Sequence, residues 1–157
     1  MSLKARDVMD HRCNTLRPQT TIADAVRRFK QVSEEQNQRV YGMVVLDDDD
    51  RLAGIISMYD ILLLLRPRNI HIWGAMPDID TEEYIDEICQ RAKFMVVGDI
   101  MSTEIIAIPP DTHLLTIVDL MIKNHIRRIP VVEDGKLIGM VYISRVLFHL
   151  MERLIAE

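Results

Sequence analysis

Two groups of residues in this sequence carry side chains suited to binding chemistry. Ser57 stands three residues before Asp60, directly ahead of the apolar run 61–65. A carboxylate only accepts hydrogen bonds and can take two hydroxyl donors side by side. Each such charge-assisted bond contributes about 1.5–3 kcal/mol. The same spacing also resembles a helix capping box, although that motif usually ends in Glu or Gln. Arg127-Arg128 supplies the opposite charge, and the planar guanidinium fork matches a phosphate bidentately. Neighbours in an extended segment point to opposite faces, so one of the two reaches a given ligand unless the backbone turns. The plain alternative is a solvated surface pair.

Other chemistries find no residues to carry them. No paired acid and base, nucleophile triad or glycine-rich phosphate loop is present, so the sequence does not read as an enzyme. Asp47-Asp48-Asp49-Asp50 lacks the interleaved ligands and glycine of a calcium loop and reads as a solvated turn. The histidines and cysteines lack metal-ligand spacing, His11-x-Cys13 being a weak exception, so no metal is expected. Cys89 and the methionines suit packing.

Composition bounds the class. The 157 residues suggest one compact unit. An excess of acidic over basic residues gives a net charge of −5, which leaves no basic footprint for nucleic acid. No apolar run approaches the ~18 residues needed to span a bilayer, and no charged-then-apolar leader opens the chain. Two cysteines cannot form a disulfide framework and favour a reducing compartment. A cytoplasmic protein without membrane contact is expected.

The elements that must position these residues occur twice. Asp7-Val8-Met9 returns as Asp99-Ile100-Met101, an offset of 92, and Pro18 returns as Pro110. Val44-Val45 aligns with Val131-Val132 at an offset of 87, which puts five extra residues around 33–37 of the first copy. Gly54 aligns with Gly139 at 85, which puts two more within 47–50. These changes fall in polar segments, where insertions are tolerated.

Each copy predicts an extended piece (15–17; 105–108), then a helix striped by Ile22, Ala25, Val26 and Phe29 or by Leu114, Ile117, Val118 and Met121. Two strands split by a polar turn follow, 129–132 and 137–142 in the second copy. A last helix closes each copy at 58–65 and 144–154. Each β-α-β-β-α unit is small enough to need its twin for a sufficient core. Between them, Pro67 and Pro77 mark breaks. The acidic 80–83 opens a helix striped by Tyr84, Ile85, Ile88, Ala92 and Met95.

The doubled Asp-Val-Met/Asp-Ile-Met starts, Arg127-Arg128-Ile129-Pro130-Val131-Val132 and Gly54-Ile55-Ile56-Ser57-Met58-Tyr59-Asp60 together resemble a tandem pair of cystathionine-β-synthase (CBS) domains, a Bateman module. The resemblance implies an α/β (α+β) fold of two β-α-β-β-α repeats packed as a pseudo-two-fold pair: 1–66, a helical connector 67–98, and 99–157. It implies a regulatory, energy-sensing module rather than an enzyme, with no obligatory cofactor. The ligand would be AMP, ADP or ATP before S-adenosylmethionine, bound in a cleft between the repeats.

Asp60 would then accept from both ribose hydroxyls, with Ser57 on the sugar or phosphate and Tyr59 beside it. Arg127 and Arg128 would reach the phosphates from the other copy, and Thr15 would contact the nucleotide from the opening strand, near Thr20 and Thr21. The second copy has Tyr142 and Arg145 for Ser57 and Asp60, and the first has Val40-Tyr41 for the arginines, so one competent site is expected. A homodimer through stacked CBS pairs and an effector protein are the implied partners. The competing expectation is an oligomerisation or scaffold module without a physiological small ligand.

Overall fold

The computed structural model describes residues 2–37, 39–66 and 81–157; Pro67, Pro77 and Asp80, which the sequence reading uses as breaks and helix opener, lie outside them. The chain forms two compact units, Thr15–Leu46 with Ala53–Thr103, and Met1–Asn14 with Asp47–Leu52 and Glu104–Glu157. We call these the first and second units.

In the first unit, β1 (Thr15–Leu16) runs parallel to β2 (Gly42–Leu46), and β3 (Leu52–Ser57) completes a three-stranded sheet in the order β1-β2-β3. Helix α2 (Ile22–Glu35) starts where the Thr21 hydroxyl accepts the Asp24 amide at 3.2 Å, which satisfies one of the amides a helix start leaves unpaired. Its buried stripe is Ile22, Ala25, Phe29 and Val32. Val26, expected in that stripe, is 45% exposed; the 3.6-residue period carries it past the edge of the buried arc. Helix α3 (Met58–Leu65) packs against α4 (Thr81–Ala92) and α5 (Val97–Ile100). Within the connector residues 81–92 form this helix, with Ala92 buried and Tyr84 and Ile88 half-buried, but Ile85 of the expected stripe is exposed and Met95 lies beyond the helix end.

The second unit contains α1 (Ala5–Val8), α6 (Leu114–Asn124), the antiparallel pair β4 (Arg128–Glu133) and β5 (Lys136–Tyr142), and α7 (Ile143–Ile155). The extended piece expected at 105–108 is reduced to one parallel bridge, Ile108 to Val131. Pro109 and Pro110 follow it, and without N–H groups they cannot continue a ladder.

The compact units are therefore not the stretches 1–66 and 99–157, because the leading segment of each repeat packs in the other unit. Ala5 and Val8 lie in the core of α6, β4, β5 and α7, and Val97 lies in the core around Phe29 and Ile56. The two dockings repeat bond for bond. Ala5 N donates to Thr112 O as Val97 N donates to Thr20 O, both at 2.8 Å. Arg6 N donates to Pro110 O (3.0 Å) as Gly98 N donates to Pro18 O (2.9 Å). Leu114 N donates to Leu3 O (3.0 Å) as Ile22 N donates to Met95 O (2.7 Å). The duplicated Asp-x-Met starts serve this exchange: they place Met9 over Gly139 and Met101 over Gly54.

A Cβ on Gly54 would sit 2.5 Å from Met101 Sδ and 2.9 Å from the Ser102 carbonyl oxygen. The thioether can swing away but the backbone oxygen cannot. Gly54→Ala is expected to cost about 1–3 kcal/mol through overpacking, read as a lower chemical-denaturation midpoint with an unchanged slope.

Strand pairing also shifts one equivalence by a residue. Leu16 pairs with Val45 as Ile108 pairs with Val131. Met58 N donates to Tyr41 O (2.9 Å) as Ile143 N donates to Arg127 O (2.8 Å). The first repeat therefore holds Tyr41-Gly42, not Val40-Tyr41, in place of Arg127-Arg128. The valine doublets invite the slip. Met43, Val44 and Val45 are all buried, as are Ile129, Pro130 and Val131, so no alternation marks the phase.

Candidate functional site

Ser57 ends β3 in extended backbone and caps α3. Its amide donates to Asp60 Oδ2 at 2.8 Å, its hydroxyl donates to the same oxygen at 3.0 Å, and the Asp60 amide donates back to Ser57 Oγ at 3.3 Å. This is a closed capping box, so the structural role open to this pair in the sequence is realised. It uses one carboxylate oxygen. Asp60 Oδ1 has no hydrogen-bond partner among the described residues, and the side chain is half-buried. A fixed carboxylate with one oxygen anchored and one open can accept hydroxyl donors without first reorganising.

The neighbouring candidates fall on several elements. Tyr59, next in the first turn of α3, is 69% exposed. Thr15 is half-buried on β1, paired opposite Val44. Thr20 and Thr21 are engaged locally: Thr20 Oγ1 accepts the Arg17 amide at 3.4 Å, and Thr21 caps α2.

Arg127 and Arg128 belong to the second unit. Arg128 opens β4 directly across from Tyr142 of β5. It is half-buried while Arg127 is exposed, the alternation expected of an extended pair. Burial pulls the Arg128 guanidinium below its ordinary pKa, Tyr142 opposes that shift, and Arg127 adds to it. Neither arginine forms an ion pair with a carboxylate among the described residues. A partly desolvated cation without an acid leaves its donors for an anion.

The second repeat's counterparts of Ser57 and Asp60 differ in kind. Tyr142 precedes α7 without making a side-chain cap bond. Its hydroxyl pKa is raised by burial first, then by Asp10 and Cys13, with Arg128 opposing. Burial and Asp10 likewise raise the Cys13 thiol. Asp10 and Cys13 were not singled out as neighbours of this position from the sequence. The duplication carried the signal, because Asp10 follows Asp-Val-Met as Ser102 follows Asp-Ile-Met. Among the described residues no group of three or more His, Cys, Asp or Glu could hold a metal ion. Nor is any described helix long and apolar enough to cross a membrane.

Comparison with known proteins places these features in a family. The CBS domain model matches twice, at residues 5–67 and 97–152. CBS domain-containing protein CBSX2, chloroplastic, from Arabidopsis thaliana is 31% identical over 142 residues, covering 85% of this chain and 57% of that protein. The chain thus spans little more than half of that curated relative. The crystal structure of CBSX2 in complex with AMP superposes with a TM-score of 0.68 at 26% identity, covering 96% of this chain and 98% of that one. The cytosolic domain of the Mg2+ channel MgtE shares the fold, with a TM-score of 0.68 at 21% identity over 94% of this chain and 48% of that one. With two matched copies, each carrying the helix-and-strand body described above, this chain belongs to the CBS domain family as a tandem CBS pair.

Proposed function

We propose that this chain is a regulatory module that binds one adenine nucleotide per chain, AMP, ADP or ATP in preference to S-adenosylmethionine. The observation that carries the reading is the one-sided occupation of Asp60: Oδ2 is held by Ser57 while Oδ1 has no partner among the described residues. The AMP complex of CBSX2 supports the ligand class. Ser57 and Asp60 would bind the ribose with Tyr59 and Thr15 nearby. Arg127 and Arg128, which pair with no carboxylate among the described residues, would neutralise phosphate on the same ligand, so that one nucleotide is shared by the two repeats. A ligand shifts only those equilibria in which it contacts the two states differently. A shared nucleotide would therefore act on the geometry between repeats and, through it, on an effector protein. Cytoplasmic residence and a homodimer built on the last helix of each repeat complete the proposal.

Calorimetric titration of AMP, ADP, ATP and S-adenosylmethionine into nucleotide-free protein tests it. One nucleotide per chain is expected. Arg128→Gln should weaken ADP and ATP by about tenfold, since one charge-assisted bond is worth at least ~1.5 kcal/mol, and should flatten the salt dependence of binding. Absence of heat with any of the four, together with unchanged melting, would overturn the reading in favour of a scaffold module without a small ligand. That second reading has its own observation, since the capping box satisfies Ser57 without any ligand.

A further inference from the structure

The two leading segments dock by the same backbone bonds, yet the side chains around those bonds differ in kind. Lys4 bridges to His113 in the second unit as Val96 bridges to Thr21 in the first. At the common offset of 92, Lys4, Arg6, Asp111 and His113 stand where the first unit has Val96, Gly98, Gln19 and Thr21. One seat is built from neutral residues and the other from charged and titratable ones. Asp111 Oδ1 takes the Arg6 guanidinium and lies 3.8 Å from Lys4 Nζ. Asp7 accepts the Lys4 amide at 2.8 Å. His113 is the N-cap of α6, its Nδ1 accepting the Leu115 amide at 3.2 Å, whereas Thr21 caps α2 with a hydroxyl.

We propose that His113 and its charged neighbours make the docking of the amino-terminal segment an acid-sensitive clasp, closed while the imidazole is neutral. A neutral imidazole has one nitrogen that accepts a hydrogen bond, and an imidazolium has none. Protonation therefore strips the cap from α6 and sets a positive charge against the positive end of the helix. Lys4, directly opposite in the bridge, is a cation too, and like charges across a strand pair repel. Asp111 is already shared by Lys4 and Arg6, and Asp7 is engaged at the Lys4 amide. Histidine changes charge between about pH 5 and 8, so the docked form loses stability as pH falls through that window. The hydroxyl of Thr21 gives the first unit no such response. The clasp holds part of a core, since Ala5 and Val8 are 0% and 1% exposed among α6, β4, β5 and α7. This response needs no ligand and is separate from the nucleotide binding proposed above.

Amide hydrogen exchange on the ligand-free chain tests the clasp, with each rate divided by the unfolded-peptide rate at the same pH. The first unit is the control within the same molecule. From about pH 7.5 to about pH 5.5, protection of the Ala5, Leu114 and Leu115 amides is expected to fall about tenfold, the equivalent of one lost cap. Protection of the Val97, Ile22 and Asp24 amides, which hold the matching positions of the first unit, is expected to stay level. His113→Thr, which installs the first unit's cap, should abolish the fall. His11, His71, His125 and His149 are kept in that variant, so their titration is common to both proteins. Equal responses in the two units of the parent, or an undiminished fall in His113→Thr, overturn the inference. Should the variant not fold, the comparison between the two units of the parent decides alone.

Discussion

Asp60→Asn should lower AMP affinity by about ten- to a hundredfold while leaving the thermal midpoint of the ligand-free protein nearly where it was. The amide oxygen of Asn can still accept the Ser57 backbone N–H, now seen at 2.8 Å on Oδ2, so the start of α3 keeps its cap. The group left at the open position becomes an NH2, which donates and cannot accept from a hydroxyl. One or two charge-assisted bonds of about 1.5–3 kcal/mol are lost, and each 1.4 kcal/mol is about a factor of ten in affinity. Asp60→Ala should go further on both counts, removing binding and also the cap. Loss of a cap costs about 0.5–2 kcal/mol, which in a domain of this size moves the midpoint by a few degrees. Calorimetry and thermal melting on both variants separate the two roles of this carboxylate. If Asn binds AMP as the parent does, Asp60 is only a cap.

The second large effect is expected on assembly. Helix α7 buries Val146 against its own unit and packs on α6, β5 and α1. Its other side shows Ile143, Leu147, Phe148, Met151, Leu154 and Ile155 to solvent, Phe148 being 72% exposed. Helix α3 likewise exposes Tyr59, Leu62 and Leu63. Apolar stripes of this kind on two helices are what a covering surface buries, and the proposal assigns that cover to a second copy. Each large apolar side chain fully removed from water contributes about 1.5–3 kcal/mol, and a carboxylate forced into its place would be buried without a partner. Leu147→Glu combined with Phe148→Glu is therefore expected to weaken the proposed homodimer by more than ~100-fold. Light scattering should report the mass of one chain in place of two. Since both residues are exposed within the chain, the monomer's melting should hold. A variant that still scatters as a dimer removes α7 from the interface.

Much of this architecture was legible from the sequence because duplication repeats each signal. The stripe of α6, the polar turn between 129–132 and 137–142 and the boundaries of α3 follow from periodicity and turn chemistry, and each of these has a twin to check it against. The exchange of leading segments was not legible. Asp-Val-Met and Asp-Ile-Met show that the segments are equivalent, but nothing local says which body each one docks on; that is decided by the backbone bonds to Thr112 and Thr20. The register of Tyr41-Gly42 was missed because a fully buried strand run has no alternating face to mark its phase. At the site, Ser57 and Asp60 could be named but their roles could not be ranked. A carboxylate that caps with one oxygen and leaves the other open serves both, and only the geometry assigns each oxygen. Arg128 was named with its neighbour as equals, and burial separates them. The partner of Arg145 stayed hidden because Asp10 lies 135 positions away along the chain.

The crossed docking of the leading segments changes what it means to cut this chain in two. A break in the connector would leave the amino-terminal fragment with Ala5 and Val8 but without Val97, and the carboxy-terminal fragment with the reverse lack. The fragments would be complementary rather than independent, each carrying the piece that completes the other's core. Coexpression, not separate expression, is then the route to either repeat in folded form. For the same reason, a lesion at the very start of the chain would be felt first in the repeat that is made last.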